Sequence, residues 1–181
     1  MNQKRISENP LAGERAVFLE TSADTNGSHS LIEVDLSANA KGTPVHYHDS
    51  ITETFVVLEG ELGIELNKKK IILQKGETAH VPMKAHHRFY NPSDKPVKFQ
   101  CKVVPGCPGF ENSLKIVHGL VRDGKCNSNG IPKNISELAV LFELGEGKVP
   151  GILALLTPVM SVLAKRARKK GVEERLIRQY C

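Results

Sequence analysis

Apolar and polar residues alternate along much of the first hundred positions in short runs with a period of two. Between Ser30 and Leu36, Ile32, Val34 and Leu36 fall on one side and Glu33 and Asp35 on the other. The pattern returns at Val97, Phe99, Cys101 and Val103 against Lys98, Gln100 and Lys102. Such alternation belongs to strands with one buried face. From about Ala16 to Val104 these runs are divided by Gly, Pro, Asn and Asp, with no helical period between them, which predicts an antiparallel sandwich or barrel. Asn67-Lys68-Lys69-Lys70 reads as a hairpin tip.

After Pro105-Gly106-Cys107-Pro108-Gly109 the period lengthens, and Phe110, Leu114, Val117 and Val121 share one helical face. A second helix opens at Asn134, whose side chain can cap it while Glu137 completes a capping box; Ile135, Leu138, Ala139 and Phe142 form its expected buried stripe. An apolar segment, Ile152 to Leu163, with Pro158 breaking or restarting it, runs into a basic stretch, and a last short helix is predicted near Val172 to Tyr180. The expected organisation is mainly β: a β-domain with an N-terminal strand arm over 1–105, then a helical extension over 106–181 packed on the barrel or on a dimer interface.

Composition narrows the class. The 181 residues are 40% apolar, 5% aromatic and 25% charged, an ordinary globular balance. The formal charge of +5 is carried entirely by residues 165–181, where seven cations face only Glu173 and Glu174. The preceding chain is neutral, which argues against a nucleic-acid-binding protein and directs any electrostatic partner to the C-terminus. Cys101, Cys107, Cys126 and Cys181 form no C-x-x-C pair, and free thiols are expected. The N-terminus lacks the apolar region of a signal peptide, and the longest uncharged run, Val149 to Ala164, falls short of the roughly 20 residues needed to span a bilayer. A cytoplasmic location follows as an expectation. Membrane-surface contact through the basic C-terminus is disfavoured, because Pro158 interrupts the segment and Thr157 and Ser161 leave only a narrow polar stripe.

His46 and His48, two apart, would project from the same face of a strand with Cα atoms about 6.6–6.8 Å apart. Glu53 leads an apolar strand, where a carboxylate needs a partner. His87 offers a third imidazole on a β segment after Pro82. Three imidazoles and one carboxylate suit a divalent transition metal, among Fe, Mn, Ni, Cu and Zn, with one or two positions open. Parity from Glu53 points Phe55 and Val57 inward and parity from His87 adds Phe89; with Phe99 and Cys101 they predict an apolar pocket for a small organic ligand. Cys101 reads as a small core residue. His80 reads as a packed histidine or a cavity-facing donor, His86 as a surface residue, and His29 and His118 have nothing nearby to recommend them.

In this order the chain resembles the cupin superfamily. His46-Tyr47-His48, four residues, Glu53, six residues and Gly60 match its first motif. Gly76, five residues, Pro82-Met83-Lys84, two residues, His87, three residues and Asn91 match its second. Ala40 stands where the first motif opens on glycine, with Gly42 two residues on, and Lys84 occupies a glycine position of the second; neither is a ligand. The resemblance implies a jelly-roll barrel, His46, His48, Glu53 and His87 as metal ligands, and a homodimer, with Leu31 to Leu36 read as an edge strand that a neighbour or a helix must cover. It also implies a metal-dependent dioxygenase of quercetinase or cysteine dioxygenase type, a non-catalytic small-molecule-binding module, or a sugar isomerase or epimerase. The last needs basic residues, for which Lys84 and Arg88 are the nearby choices. The helices read as packing surfaces, so no nucleic-acid partner is expected.

Overall fold

The computed structural model describes residues 5–151 and 156–181. Ten strands precede the helices: β1 (Ile6–Asn9), β2 (Glu14–Glu20), β3 (Ser30–Leu36), β4 (Tyr47–His48), β5 (Thr52–Glu59), β6 (Leu62–Leu66), β7 (Lys69–Leu73), β8 (Thr78–Val81), β9 (His87–Tyr90) and β10 (Val97–Val104). Nine of them form an antiparallel six-stranded sheet in the order β1-β2-β3-β10-β5-β8 and a three-stranded sheet in the order β7-β6-β9, with β4 outside both. The period-two pattern is realised directly. β3 and β10 pair in register from Ser30↔Val103 to Leu36↔Val97, each burying every second residue. Phe18, Ile32, Leu36, Phe55, Leu62, Ile64 and Phe99 fill the space enclosed by the strands. Asn67 and Lys68, both at positive φ, make the two-residue turn between β6 and β7.

Strand order corrects one expectation. β3, residues 30–36, lies between β2 and β10 and is not an edge. The outer strands of that sheet are β1 and β8, and β1 packs against the first helix, so the physical reason for covering Leu31 to Leu36 with a second copy falls away.

The extension contains α1 (Pro108–Arg122), α2 (Ile135–Leu144), a short strand β11 (Gly147–Lys148), α3 (Thr157–Lys169) and α4 (Val172–Tyr180). α1 packs between β1 on one side and α2 and α4 on the other, so its burial extends beyond the single face read from sequence. Phe110 and Leu114 rest on the barrel core, while Ile116, Leu120 and Val121 join a second core with Val140 and Leu176. Glu111 is buried and accepts hydrogen bonds from the Ser22 amide and the Ser30 hydroxyl, tying the helix to the strands. Ser7 of β1, Glu14 of β2 and His118 of α1 also meet: the Ser7 hydroxyl lies 3.0 Å from His118 Nδ1, and a Glu14 oxygen 3.7 Å from Nε2. His118 thus has buried polar neighbours that its sequence context does not reveal.

Asn134 caps α2, accepting from the Ser136 and Glu137 amides, but the Glu137 carboxylate is buried and bound to Arg175 of α4. Ile135, expected inside, is exposed, whereas Ala139 and Val140 are buried. Pro158 opens α3 in its first turn, the second of its two expected roles, and the basic run forms that helix's C-terminal half. Met160, Ala164 and Ala167 are its buried residues; Leu156, Val159 and Val162 are exposed. The Ile152 to Leu155 part of the apolar segment lies outside the described residues. Among the described residues no helix is long and apolar enough to cross a membrane.

Candidate metal centre

The site forms where the chain's two ligand-bearing stretches pair. His46 and His87 exchange both main-chain bonds, His46 N to His87 O at 2.9 Å and the reverse at 2.8 Å, which brings the two stretches into register. His46 and His48, two residues apart, share a face, and Glu53 enters from β5, whose alternation buries Glu53, Phe55 and Val57 together. The flanking turns are tight. Gly42 is at φ +65°, and a Cβ there would stand 1.8 Å from the Phe89 carbonyl oxygen, so a glycine is required at this position. Lys84, at the glycine position of the second motif, adopts φ +64°, so the turn geometry survives the substitution.

The ligand atoms of His46, His48, Glu53 and His87 all lie within 4.8 Å of one another. His48, Glu53 and His87 are buried and His46 is partly so. Each imidazole is fixed at Nδ1 by a main-chain carbonyl: His46 by Pro44 at 2.8 Å, His87 by Ala85 at 3.0 Å and His48 by Glu146 at 3.2 Å. An Nδ1–H donated outward leaves Nε2 as the inward lone pair, the arrangement that orients imidazoles on a metal. The Glu53 carboxylate stands 2.6 Å from His87 Nε2 and 3.4 Å from His48 Nε2. His48 Nε2 is buried with no hydrogen-bond partner among the described residues. A buried nitrogen of this kind is costly unless something else binds it.

Electrostatics point the same way. Burial, with His87 and His48 close by, pushes His46 down to about 4, so this ring is a neutral donor. Burial would raise the Glu53 carboxyl, but the His48 and His87 imidazoles outweigh it and hold the group ionised below the usual carboxylate range. Burial lowers His87, and Glu53 more than compensates, leaving it raised. The 2.6 Å contact needs a proton between His87 and Glu53; a divalent cation among the four ligand atoms serves the same electrostatic purpose and also satisfies His48. The donor set fits such an ion.

The five residues expected to line a pocket lie against this cluster as packed core. Phe55, Val57 and Phe99 are 0–1% exposed, Cys101 is buried, and only Phe89 is partly open. The three rings lie 5.2–6.0 Å apart. Burial, reinforced by Glu53, pushes the Cys101 thiol well up; it is neutral and donates to Glu53 at 3.5 Å, supporting the carboxylate instead of joining the ligand set. His80 is exposed beside the Thr54 hydroxyl, neither packed nor facing the site. His86 is exposed as expected, with its ring against Tyr47. Asn91, the last residue of the second motif, is a buried latch whose amide donates to the Leu36, Ser37 and Lys95 carbonyls. Two contributors had no sequence signal: the Glu146 carbonyl, and Phe110 of α1, edge-on to His48 at 6.0 Å.

Comparison with known proteins agrees with this geometry. Residues 32–104 match the Cupin domain family. An uncharacterized protein of Methanocaldococcus jannaschii is 32% identical over 76 residues, 42% of this chain; the chain spans 60% of the length of that curated relative. KdgF from Halomonas sp. superposes with a TM-score of 0.51 at 17% identity, over 60% of this chain and 93% of that one. An RmlC-like cupin from Shewanella frigidimarina NCIMB 400 gives 0.51 at 19%, over 60% and 89%. At these identities the structural likeness speaks for the fold alone. With the motif match and the convergence of His46, His48, Glu53 and His87, residues 32–104 are a cupin domain, followed in this chain by four C-terminal helices.

Proposed function

We propose that this protein binds one divalent transition-metal ion through His46, His48, Glu53 and His87 and uses the positions left open to act on a small organic molecule in an oxygen-dependent, dioxygenase-type reaction. The observation that carries the metal reading is the buried, unpartnered Nε2 of His48, directed at Glu53 amid two further imidazoles. A redox-active ion supplies Lewis acidity and access to O₂. The chain's own residues hold the ligand set. Three main-chain carbonyls keep the imidazole tautomers, the Cys101 thiol donates to Glu53, and the Phe55, Phe89 and Phe99 rings beneath exclude water. The isomerase reading has less behind it: Arg88 is bound to Glu65 at 2.9 Å and stacked on Tyr90, which leaves the exposed Lys84 as its candidate cation for a sugar phosphate.

Elemental analysis of protein purified without a His tag, followed by oxygen uptake with flavonols, diketones and thiols, tests the proposal. Stoichiometric metal with substrate-dependent uptake is the expected result. Metal without uptake from any of the three classes would favour a non-catalytic binding module, and protein that takes up no divalent metal would overturn the reading.

A further inference from the structure

Each imidazole is fixed by a carbonyl, but the carbonyls differ in origin. Pro44 and Ala85 stand two residues before His46 and His87, so those rings are oriented by their own strands. The carbonyl on His48 belongs to Glu146, 98 residues away and beyond α2. The geometry points to a metal centre that the β-domain does not complete alone: residues 145–148 form a strap over the site, in which Glu146 is a positioning residue for His48 and the bare Gly147 sets the room beside the ion. This inference rests on the metal reading above and adds a role for the extension.

Three contacts hold the strap. β11 pairs antiparallel with β4, placing Gly147 opposite His48 and Lys148 opposite Tyr47. The Ser50 hydroxyl donates to the Glu146 carboxylate at 2.7 Å, and Lys148 forms an ion pair with Asp49. The stretch from Tyr47 to Ser50, which contains the ligand His48, is thus gripped by residues from beyond α2. Glu146 itself is at φ +57°, a left-handed conformation that glutamate adopts at a cost and that persists only where its surroundings impose it. In that conformation its carbonyl meets His48 Nδ1.

Gly147 lies still closer to the chemistry. A Cβ there would stand 3.7 Å from His46 Cδ2 and 3.8 Å from His48 Cε1, the carbons bonded to the two inward Nε2 atoms. A methyl group fits at ordinary contact distance. A branched side chain would occupy the space over the two rings, so residue 147 limits the size of whatever reaches the ion from the strap's side.

The test uses full-length, metal-stripped protein and cobalt(II) as the probe, with affinity from chelator competition and the visible spectrum of bound cobalt as readouts. The double variant Glu146→Ala with Lys148→Ala removes both side-chain anchors. Cobalt affinity is expected to fall about tenfold or more with an altered spectrum, the usual scale for losing an outer-shell partner. The metal-free melting temperature should stay close to wild type, because the barrel core is untouched. Glu146→Gln, which still accepts from Ser50, should retain wild-type affinity and spectrum. Gly147→Val should weaken binding while Gly147→Ala does not, and this pair carries the test if the double variant fails to fold. Wild-type affinity and spectrum in both the double variant and Gly147→Val would overturn the strap while leaving the metal reading intact. A wild-type protein that binds no cobalt would overturn both.

Discussion

Replacing Glu14 by glutamine probes the buried contact between the sheet and α1. The Glu14 side chain is 8% exposed, and the His118 imidazole lies 3.7 Å from it. Burial raises its carboxyl from 4.5 to about 7. At about 1.4 kcal/mol per pH unit, that elevation corresponds to about 3 kcal/mol. The sign follows from which form the fold prefers. The protonated group fits, so its stabilising contribution is complete below pH 4.5 and is lost as pH rises through about 7. His118 runs the other way: burial pushes it down to about 4, so its contribution is present above 6.5 and is lost as pH falls towards 4. Both proteins carry His118, so its contribution drops out of their difference. Glutamine mimics the protonated carboxyl at every pH. Urea unfolding should therefore show Glu14→Gln gaining on wild type by about 3 kcal/mol between about pH 4.5 and about pH 8.5, with little change in slope m. A variant that instead loses ground at the higher pH would refute this reasoning. It would mean that Glu14 is ionised against an imidazolium, and the NMR titration of His118 would then show a pKa above 6.5.

Two further outcomes follow from the site. His48→Ala should lower metal occupancy at least about tenfold, measured by elemental analysis after dialysis, while circular dichroism stays that of the wild-type barrel, whose core is apolar. Asn91→Ala removes the donor to three carbonyls and should destabilise the protein by about 2–4 kcal/mol in thermal denaturation, with cobalt binding retained below the transition.

The parts legible in the sequence are those governed by a short period. Strand alternation located Ile32, Val34 and Leu36, aligned Glu53 with Phe55 and Val57, and set His46 and His48 on one face. What escaped depends on which elements meet. Nothing local marks β3 as interior, because its neighbours β2 and β10 come from both directions along the chain. His118 lacked visible company since Ser7 lies 111 residues away. Ile135 satisfied a helical stripe, but the tertiary contacts of α2 bury Val140 beside the expected Ala139 and leave Ile135 outside. Glu146 contributes a main-chain oxygen, which every residue has and no side-chain pattern announces. Phe55, Val57, Phe99 and Cys101 are buried on the side that strand parity gives them, while parity carries no measure of the space beside them.

The order of strands in the large sheet bears on how the protein is made. β10 is the last of its six strands to be synthesised, yet it lies in the middle, between β3 and β5. Until Val104 has left the ribosome, the β1-β2-β3 meander and the β5-β8 pair are separate pieces, each with an unpaired apolar edge, Ile32, Val34 and Leu36 on β3 and Phe55, Val56 and Val57 on β5. Closure is necessarily late and non-local, a topology that folds slowly and leaves nascent chains open to edge-to-edge association. His46, His48 and Glu53 are translated before that insertion, but the strap reaches them only after α2 has followed. A chain truncated before Gly145 can close its barrel without ever tying down His48.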